Sequence, residues 1–539
     1  MATTFRTHLT GPAKWAEKTP TAPAFKVPQW SEAGEFGGWK PVSYAEYWGD
    51  IEKYARYVYN EFTQQGLKER DTVAIWSSGA NYVDIVHIWA VARAGFVPLL
   101  ISIRIQHLGA IDLLLKGGEA KGLLYNPVVG DKPELDVVSI PAVDIKTAEA
   151  TTGEKPLPEV WFPSNEDEIV MKYHSSGSSS GMPKVIPMTA RWVDFLLDKL
   201  VDALGSDPNK QENTSANGSA VHLAGAMSII ASHYQGQCIV ICKEISSSRE
   251  ELKALIEDHG LTRIVLFSTF LAKFIIQARS DPELLQLLKS LNRIIHGGVP
   301  LDEKYAKEAR DQGIKLRDIF GSTEIGVAMI SGDEGPNEAY LRPIAGTKYK
   351  FVPVNDASSE SQNGAGAPKL LEVIITAESG DCPHPSYRNK ETGDFHTGDL
   401  VEEMAPGYYL SRGRNDDWMK MQNAALCDTQ SIEGNALEVC GKDLIGAAVC
   451  IGLKRPSPVL VVEPLADGDV PPNLTQDVLE RIKPFHERMY VHERIDEAKF
   501  IIVAPKGSLP KTPKGNVQRK PVEKTFEKQL DELFGQTTP

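Results

Sequence analysis

Tyr173-His174-Ser175-Ser176-Gly177-Ser178-Ser179-Ser180-Gly181-Met182-Pro183-Lys184 is the stretch on which the fold turns. It gathers hydroxyls and glycines into a short loop that ends on one cation. Residues 168–173 before it and 185–188 after it read as short apolar strands. A Ser/Gly run can be a flexible linker. It can also be a polyphosphate cradle, in which glycines admit backbone N–H groups, serines donate hydroxyls and Lys184 adds positive charge. A position between two strands of one sheet favours the cradle. It is not a Walker loop, which closes on Gly-Lys-Ser/Thr.

Outward from this loop the hydrophobic period alternates. Helical patterns cover residues 44–65, 82–94 and 107–116, and strand patterns cover 72–76, 95–100 and 122–125. Beyond the loop, helices are expected at 190–204, 249–259 and 270–279, and strands at 237–241, 263–267 and 293–296. Apolar strands alternating with helices imply parallel sheets covered by helices. Two α/β lobes are therefore expected, over residues 1–170 and 185–330. Residues 335–412 differ: short β segments at 349–353, 370–376, 400–403 and 408–411 are separated by Gly/Pro/Ser loops. They suggest a small β-barrel-like subdomain. A small α+β unit with a charged helix at 521–534 completes the chain.

The totals narrow the function. The 539 residues carry a net charge of −14 and are 42% hydrophobic. Acidity argues against a general nucleic-acid or anionic-membrane binder. No apolar run approaches the ~20 residues of a membrane span, and the N-terminus lacks an apolar signal core. The six cysteines form no C-x-x-C pair, so reduced thiols in a cytoplasmic protein are expected. His486-Glu487 is followed by His492, the wrong spacing for a helical zinc motif.

Further segments carry chemistry. Phe320-Gly321-Ser322-Thr323-Glu324 closes a strand at 316–319 with an aromatic, a hydroxyl and a carboxylate. Such a set can stack on a base, bind a phosphate and hold Mg²⁺. Phe395-His396-Thr397-Gly398-Asp399-Leu400 places an acid after a tight turn, suited to ribose hydroxyls. Gly413-Arg414-Asn415-Asp416-Asp417-Trp418-Met419-Lys420 offers cations and paired acids. His296-Gly297-Gly298-Val299-Pro300 lets backbone approach a flat ligand. Ser508-Leu509-Pro510-Lys511-Thr512-Pro513-Lys514-Gly515-Asn516 begins a basic terminal loop. Taken singly, each is an ordinary turn or tail.

In sequence order, these segments resemble the adenylate-forming superfamily of acyl-CoA synthetases, luciferases and peptide-synthetase adenylation domains. That family's patterns run phosphate loop, Y/F-G-x-T-E, x-T-G-D, G-R-x-D-D-x-(I/V)-K and P-K-T-x-x-G-K. The resemblance spans nearly the whole chain, and Ala94-Gly95-Phe96-Val97-Pro98-Leu99 is similar to a further family strand. It implies an α/β fold with a large core at 1–414 and a small mobile domain at 415–539, hinged near Asp416. It also implies a two-step reaction: a carboxylate attacks the α-phosphate of ATP with Mg²⁺, and a phosphopantetheine thiol then displaces AMP. By the resemblance, Ser176, Gly177, Ser178, Ser179, Ser180, Gly181 and Lys184 hold the β/γ-phosphates. Phe320 packs on adenine near Gly297, Gly298 and Val299, with Gly321 and Ser322 beside it. Thr323 takes the α-phosphate, Glu324 the metal, Asp399 the ribose, Arg414 the ribose/phosphate edge, and Lys420 serves thioester formation.

The chain departs from the pattern in three places. Gly177 to Lys184 is one residue longer than the family's loop. Asn423 stands where glycine is usual. Asn516 stands where the family's adenylation lysine follows a glycine. Lys514 is the favoured substitute; Lys511 or Lys520, or an impaired first half-reaction, are the other readings.

The segment Ser219-Ala220-Val221-His222-Leu223-Ala224-Gly225-Ala226 resembles the H-x-x-G of acid and acyl-CoA ligases and carries no acid to pair an α-ammonium. An unpaired ammonium in an uncharged pocket is costly. The expected substrate is a small carboxylic acid without an α-amino group: an aryl acid, an α-keto acid or a medium apolar acid, the first two favoured. The expected pocket contains His222, Gly225, Ala226, Gly298 and Gly321. His222 either lines that pocket or is a structural histidine at a strand end. Residues 415–420, with 428–433 following, look most like fungal peptide-synthetase-like enzymes, which implies a downstream carrier domain. A stand-alone acyl-CoA ligase and a non-catalytic nucleotide- or acyl-binding module are the alternatives.

Overall fold

The computed structural model describes residues 4–31, 33–105, 107–129, 134–150, 156–175, 183–207, 210–244, 247–332, 335, 337–354, 369–422, 426–466, 470–487, 489, 491–511 and 517–535. The chain forms a large N-terminal α/β region and a smaller C-terminal α+β region.

Among the described residues, one sheet of six strands runs in the order Val138–Pro141, Ala120–Tyr125, Thr72–Ser77, Val97–Ser102, Ile169–His174, Val185–Thr189. Its pairs are parallel except the last. The apolar strands Thr72–Ser77 and Val97–Ser102 are buried along their whole length, as a two-sided parallel sheet requires. Val185–Thr189 turns back antiparallel on Ile169–His174. The Ser/Gly stretch therefore joins two neighbouring strands of one sheet, and Ser175 N–H donates to the Lys184 carbonyl at 2.8 Å at its base.

A larger sheet contains the second lobe. Its parallel part runs Leu316–Ser322, Arg293–Gly297, Arg263–Phe267, Asn213–Ala216, Cys238–Ile241, Pro23–Trp30. Two assignments to lobes change here. Pro23–Trp30, from the expected first lobe, joins the second sheet and carries the Phe36–Ser43 edge strand with it. Val185–Thr189, from the expected second lobe, belongs to the first. The strand expected to stop at 319 continues through Ser322 and pairs with Gly326–Ser331. Through that hairpin the β-rich segment joins the same sheet: Gly326–Ser331 pairs with Leu341–Pro343, then Tyr408–Arg414, Phe395–Ala405, Leu370–Ile375 and Tyr349–Pro353 follow.

One helix ties these parts together. Ala190–Leu204 starts at Thr189, whose hydroxyl accepts from Trp192 N–H at 3.3 Å, a standard N-cap. It ends on Gly205 at φ +57°, the left-handed stop that glycine favours. Its last carbonyls find cations from the second sheet: buried Arg317 donates to Asp202 and Ala203, and half-buried Arg293 to Leu204 and Gly205. Both ends of the helix are thus fixed.

The C-terminal region packs its own core of Ile432, Val449, Val461, Val478, Ile501 and neighbours. A hairpin of Trp418–Lys420 and Leu426–Asp428 precedes a three-stranded sheet of Ile445–Ile451, Val459–Pro464 and Ile501–Val503. The helix expected at 521–534 is two, Arg519–Thr525 and Glu527–Phe534, breaking at Phe526. All six cysteines are free thiols and buried. Among the described residues no helix is long and apolar enough to cross a membrane.

Candidate functional site

In each parallel sheet the strand order reverses beside one strand. In the first it is Thr72–Ser77, with later strands on either side; in the second it is Asn213–Ala216. Open α/β sheets bind ligands beyond the carboxyl ends of strands at such points. Here the two loops that leave these strands meet. Ala220 N–H donates to the Gly79 carbonyl at 2.8 Å, and the Ser219 hydroxyl donates to the Ser78 carbonyl. Gly79 has φ +60°, and a Cβ there would lie 2.7 Å from Val221 N and 2.9 Å from Ser219 Oγ. Asp84, buried, braces the loop by accepting from Gly79 N–H at 3.0 Å, from Asn126 at 3.1 Å and from the Ser78 hydroxyl.

His222 follows directly. It is not at a strand end: it is the N-cap residue of the helix Leu223–Tyr234, because the chain turns helical immediately after the inter-lobe contact. Its ring sits edge-on to His174 at 5.9 Å between centroids. That places it beside the strand leading into the Ser/Gly loop. Gly225 and Ala226 are packing positions. A Cβ on Gly225 would meet the Ser219 carbonyl at 2.3 Å, and Ala226 is buried in the core.

The glycines of the second sheet leave backbone where side chains would collide. A Cβ on Gly297 would come within 2.6 Å of the Ile319 carbonyl, and one on Gly321 within 2.0 Å of the Gly326 carbonyl. Gly298, at φ +90°, lies against Phe267, and Val299 is exposed. Phe320 packs one side against Met329, Leu341 and their neighbours. Thr323 and Glu324 occupy the turn after Ser322 and are half-buried.

Two carboxylates face one another's field. Asp399 makes an ion pair with Arg414 at 3.0 Å across adjacent strands. Burial pushes the Asp399 carboxyl up to about 6, against the pull of Arg414 and with a further push from Glu324. Asp399 was expected after a tight turn. It lies inside the strand Phe395–Ala405, where left-handed Gly398 and a register shift bend the strand. Glu324 also raises the Tyr387 phenol, after burial. Tyr387 in turn donates its hydroxyl to the Val185 carbonyl, so the base of the Ser/Gly hairpin, Glu324, Asp399 and Arg414 share one neighbourhood.

Lys184 is exposed at the hairpin base. Lys420 is exposed on its hairpin, paired with Leu426, and no described contact joins it to this neighbourhood. Residues 176–182, Lys514 and Asn516 lie outside the described residues, as does the side chain of Asp416. Lys511 is engaged elsewhere, with its ammonium 3.0 Å from buried Glu463.

Sequence reasoning missed Tyr387, His174 and Asp318. Asp318 stands two residues before Phe320 on the same strand, so a period-2 reading would have found it. Burial pushes its carboxyl up to about 7. It lies 3.7 Å from His296, whose imidazole burial drives down to about 3. Nothing local marks Tyr387.

Comparison with known proteins decides the family. The AMP-binding enzyme description matches residues 12–366, and the AMP-binding enzyme C-terminal domain matches residues 416–538. The chain belongs to the AMP-binding enzyme family. It is an adenylate-forming enzyme. It is similar to the AMP-binding domain-containing enzyme iboA of Amanita muscaria, 32% identical over 487 residues, covering 88% of this chain and 92% of that one. The adenylate-forming reductase stbB of Stachybotrys bisbyi is 23% identical over 484 residues; the match covers 84% of this chain but only 41% of the reductase. In fold, the chain resembles o-succinylbenzoate CoA synthetase (MenE) from Bacillus subtilis in complex with its acyl-adenylate intermediate. The TM-score is 0.72 at 15% identity, over 97% of this chain and 99% of that one. ATP-bound MatB from Rhodopseudomonas palustris gives 0.69 at 17%, over 97% and 100%.

The inter-lobe contact predicts a specific sensitivity. Gly79→Ala forces a left-handed alanine into the backbone of Ser219–Val221 and should lower stability by roughly 2–4 kcal/mol, from overpacking and αL strain together. Gly66→Ala, also at positive φ but with open space around it, should cost only about 1–2 kcal/mol. Thermal melts of the two variants check this; equal shifts would contradict the steric account.

Proposed function

We propose that this enzyme activates a small carboxylic acid with ATP, giving acyl-adenylate and pyrophosphate, and then passes the acyl group to a phosphopantetheine thiol. The observation that carries the reading is the convergence of Glu324, the Asp399–Arg414 pair and the base of the Ser/Gly hairpin, through Tyr387, beside glycine-lined backbone. The chemical difficulty is that a carboxylate and a triphosphate repel, so the site must gather positive charge and directed donors at the forming bond.

In this reading the Ser/Gly hairpin, with Lys184 at its base, holds the leaving pyrophosphate. Gly297, Gly298 and Gly321 let adenine lie against backbone, and Phe320 gives it an apolar wall. Asp399 accepts from the ribose hydroxyls while Arg414 keeps that carboxylate charged. Thr323 donates to the α-phosphate. Mg²⁺ fits the donors present: Glu324 is a hard oxygen ligand whose charge already strains Asp399, and Mg²⁺ is commonly held by one or two carboxylates plus substrate phosphates. When bound, it neutralises phosphate charge as the acid approaches. The second half-reaction, with Lys420 brought in by rotation of residues 415–539 near Asp416, completes the cycle.

The acid lacks an α-amino group. Residues 219–228 place His222 beside His174 and supply no carboxylate for an ammonium. An aryl or α-keto acid is the favoured substrate. Similarity to stbB and to the non-canonical peptide synthetase ascB supports a carrier-borne thiol as acceptor. Because Glu463 holds Lys511, Lys514 is the favoured cation of the terminal loop.

ATP–pyrophosphate exchange with aryl, α-keto and amino acids tests the reading. Exchange is expected with an acid of the first two classes, and Lys514→Ala should lower it by roughly 10²–10³-fold, as for a lost transition-state donor. Exchange confined to amino acids would refute the pocket assignment, and no exchange with any acid would remove the enzyme reading. Formation of acyl-CoA from free coenzyme A would favour a stand-alone ligase over a carrier-loading enzyme.

The raised carboxyl of Asp399 gives a pH signature. Ribose needs the ionised form, so affinity should rise with pH through about 6. Adenosine, which carries no titrating phosphate, isolates the effect. Its affinity should be constant from pH 7 to 8 and fall toward tenfold per unit at lower pH, below about 6. Asp399→Asn should bind weakly with no such step. A wild-type profile flat down to pH 5 would contradict the assignment.

A further inference from the structure

We infer that Trp192, Lys199 and Asp381 are positioning residues for the first half-reaction, setting the Thr323–Glu324 turn at a fixed distance from the phosphate hairpin. The inference rests on the roles proposed above for that turn and that hairpin.

The helix Ala190–Leu204 grows directly out of the strand Val185–Thr189 that closes the Ser/Gly loop. Trp192, Leu196 and Lys199, spaced by four and three residues, lie on one face. All three meet the turn between Ser322 and Gly326. The Trp192 indole N–H donates to the Glu324 carbonyl at 3.1 Å. The Lys199 ammonium donates to the Ile325 carbonyl at 2.8 Å. A Cβ on Gly326, which has φ +65°, would lie 2.8 Å from Leu196 and 3.3 Å from the Trp192 ring, so glycine is what lets the turn settle on the helix. Two consecutive carbonyls beside the reacting groups are therefore oriented by one helix face.

Lys199 is itself held. Its ammonium reaches Asp381 Oδ2 at 2.7 Å, and both side chains are fully buried. Asp381 also accepts from the Ser379 hydroxyl at 2.5 Å and from the Tyr349 hydroxyl. One residue before Trp192, Arg191 donates to the carbonyls of Ala377, Glu378 and Ser379. Burial disfavours the charged lysine, and Asp381 opposes that effect. A buried ion pair is a poor stabiliser compared with apolar side chains of the same volume. What an apolar pair cannot do is donate to Ile325 and fix the direction of the turn. The helix thus couples the group that grips pyrophosphate to the group that meets the α-phosphate, across two different sheets.

Trp192→Phe removes one donor and keeps the ring; Lys199→Met/Asp381→Leu replaces the ion pair with apolar volume. Each folded variant should retain ATP affinity within about threefold by calorimetry and keep the KM for the acid. The kcat for ATP–pyrophosphate exchange should fall, by up to ~10²-fold for the double variant, the scale expected when a reacting group is misplaced by about 1 Å. Thiol transfer from supplied acyl-adenylate should proceed at the wild-type rate. A structural role alone would lower both half-reactions together, and that result would overturn the inference, as would wild-type kcat in a folded variant. If the double variant does not fold, Trp192→Phe decides. Wild-type exchange is measured alongside: its absence with every acid removes the adenylation reading and this inference with it. Its presence with unchanged variants removes the positioning role alone.

Discussion

The backbone hydrogen bond from Ala220 to Gly79 joins two sheets at the place where each reverses its strand order. A parallel sheet offers a ligand crevice at its switch point, but one crevice is shallow. In the proposed reading, two switch points held face to face form a cleft with two walls, one at the base of the Ser/Gly hairpin and the other at the glycine-lined strand ends. The contact tolerates no side chain at Gly79. It sets where His222 and its helix begin, and so where the proposed acid pocket lies.

The second organising element is the helix Ala190–Leu204. Its N-terminus belongs to the first sheet by chain continuity, its C-terminal carbonyls are taken by Arg293 and Arg317 of the second, and its middle grips the turn that bears Glu324. One helix thus ties together both walls of the proposed cleft, the kind of preorganisation that electrostatic stabilisation requires. Charge is concentrated at the same place. Asp399 is buried, paired with Arg414 and pushed up by burial and by Glu324, a cluster that the hydroxyls and cation of the proposed nucleotide would relieve.

Much of this was legible from residue order. The helix at 190–204 and the strand at 263–267 occupy the residues their periodicity implied, because apolar residues at helical and alternating spacing have one stable way to bury. The family patterns were legible since each is a local run. What was hidden is non-local. Pro23–Trp30 contains two prolines, which read against a strand, yet it lies beside Cys238–Ile241 in the second sheet. Tyr387, Asp381 and Lys199 carry no local motif; they matter only because distant loops bring carbonyls and carboxylates to them. Asp399 looked like a turn residue because Gly398 bends a strand that continues past it. Ala226 looked like pocket and is core.

The central claim is that a carboxylate oxygen of the substrate attacks the α-phosphate in this cleft. Turnover with an acid labelled with oxygen-18 in its carboxylate, followed by mass spectrometry of the products, tests it most directly. The account predicts AMP that carries one labelled oxygen and pyrophosphate that carries none. Unlabelled AMP, or label in the pyrophosphate, would contradict it.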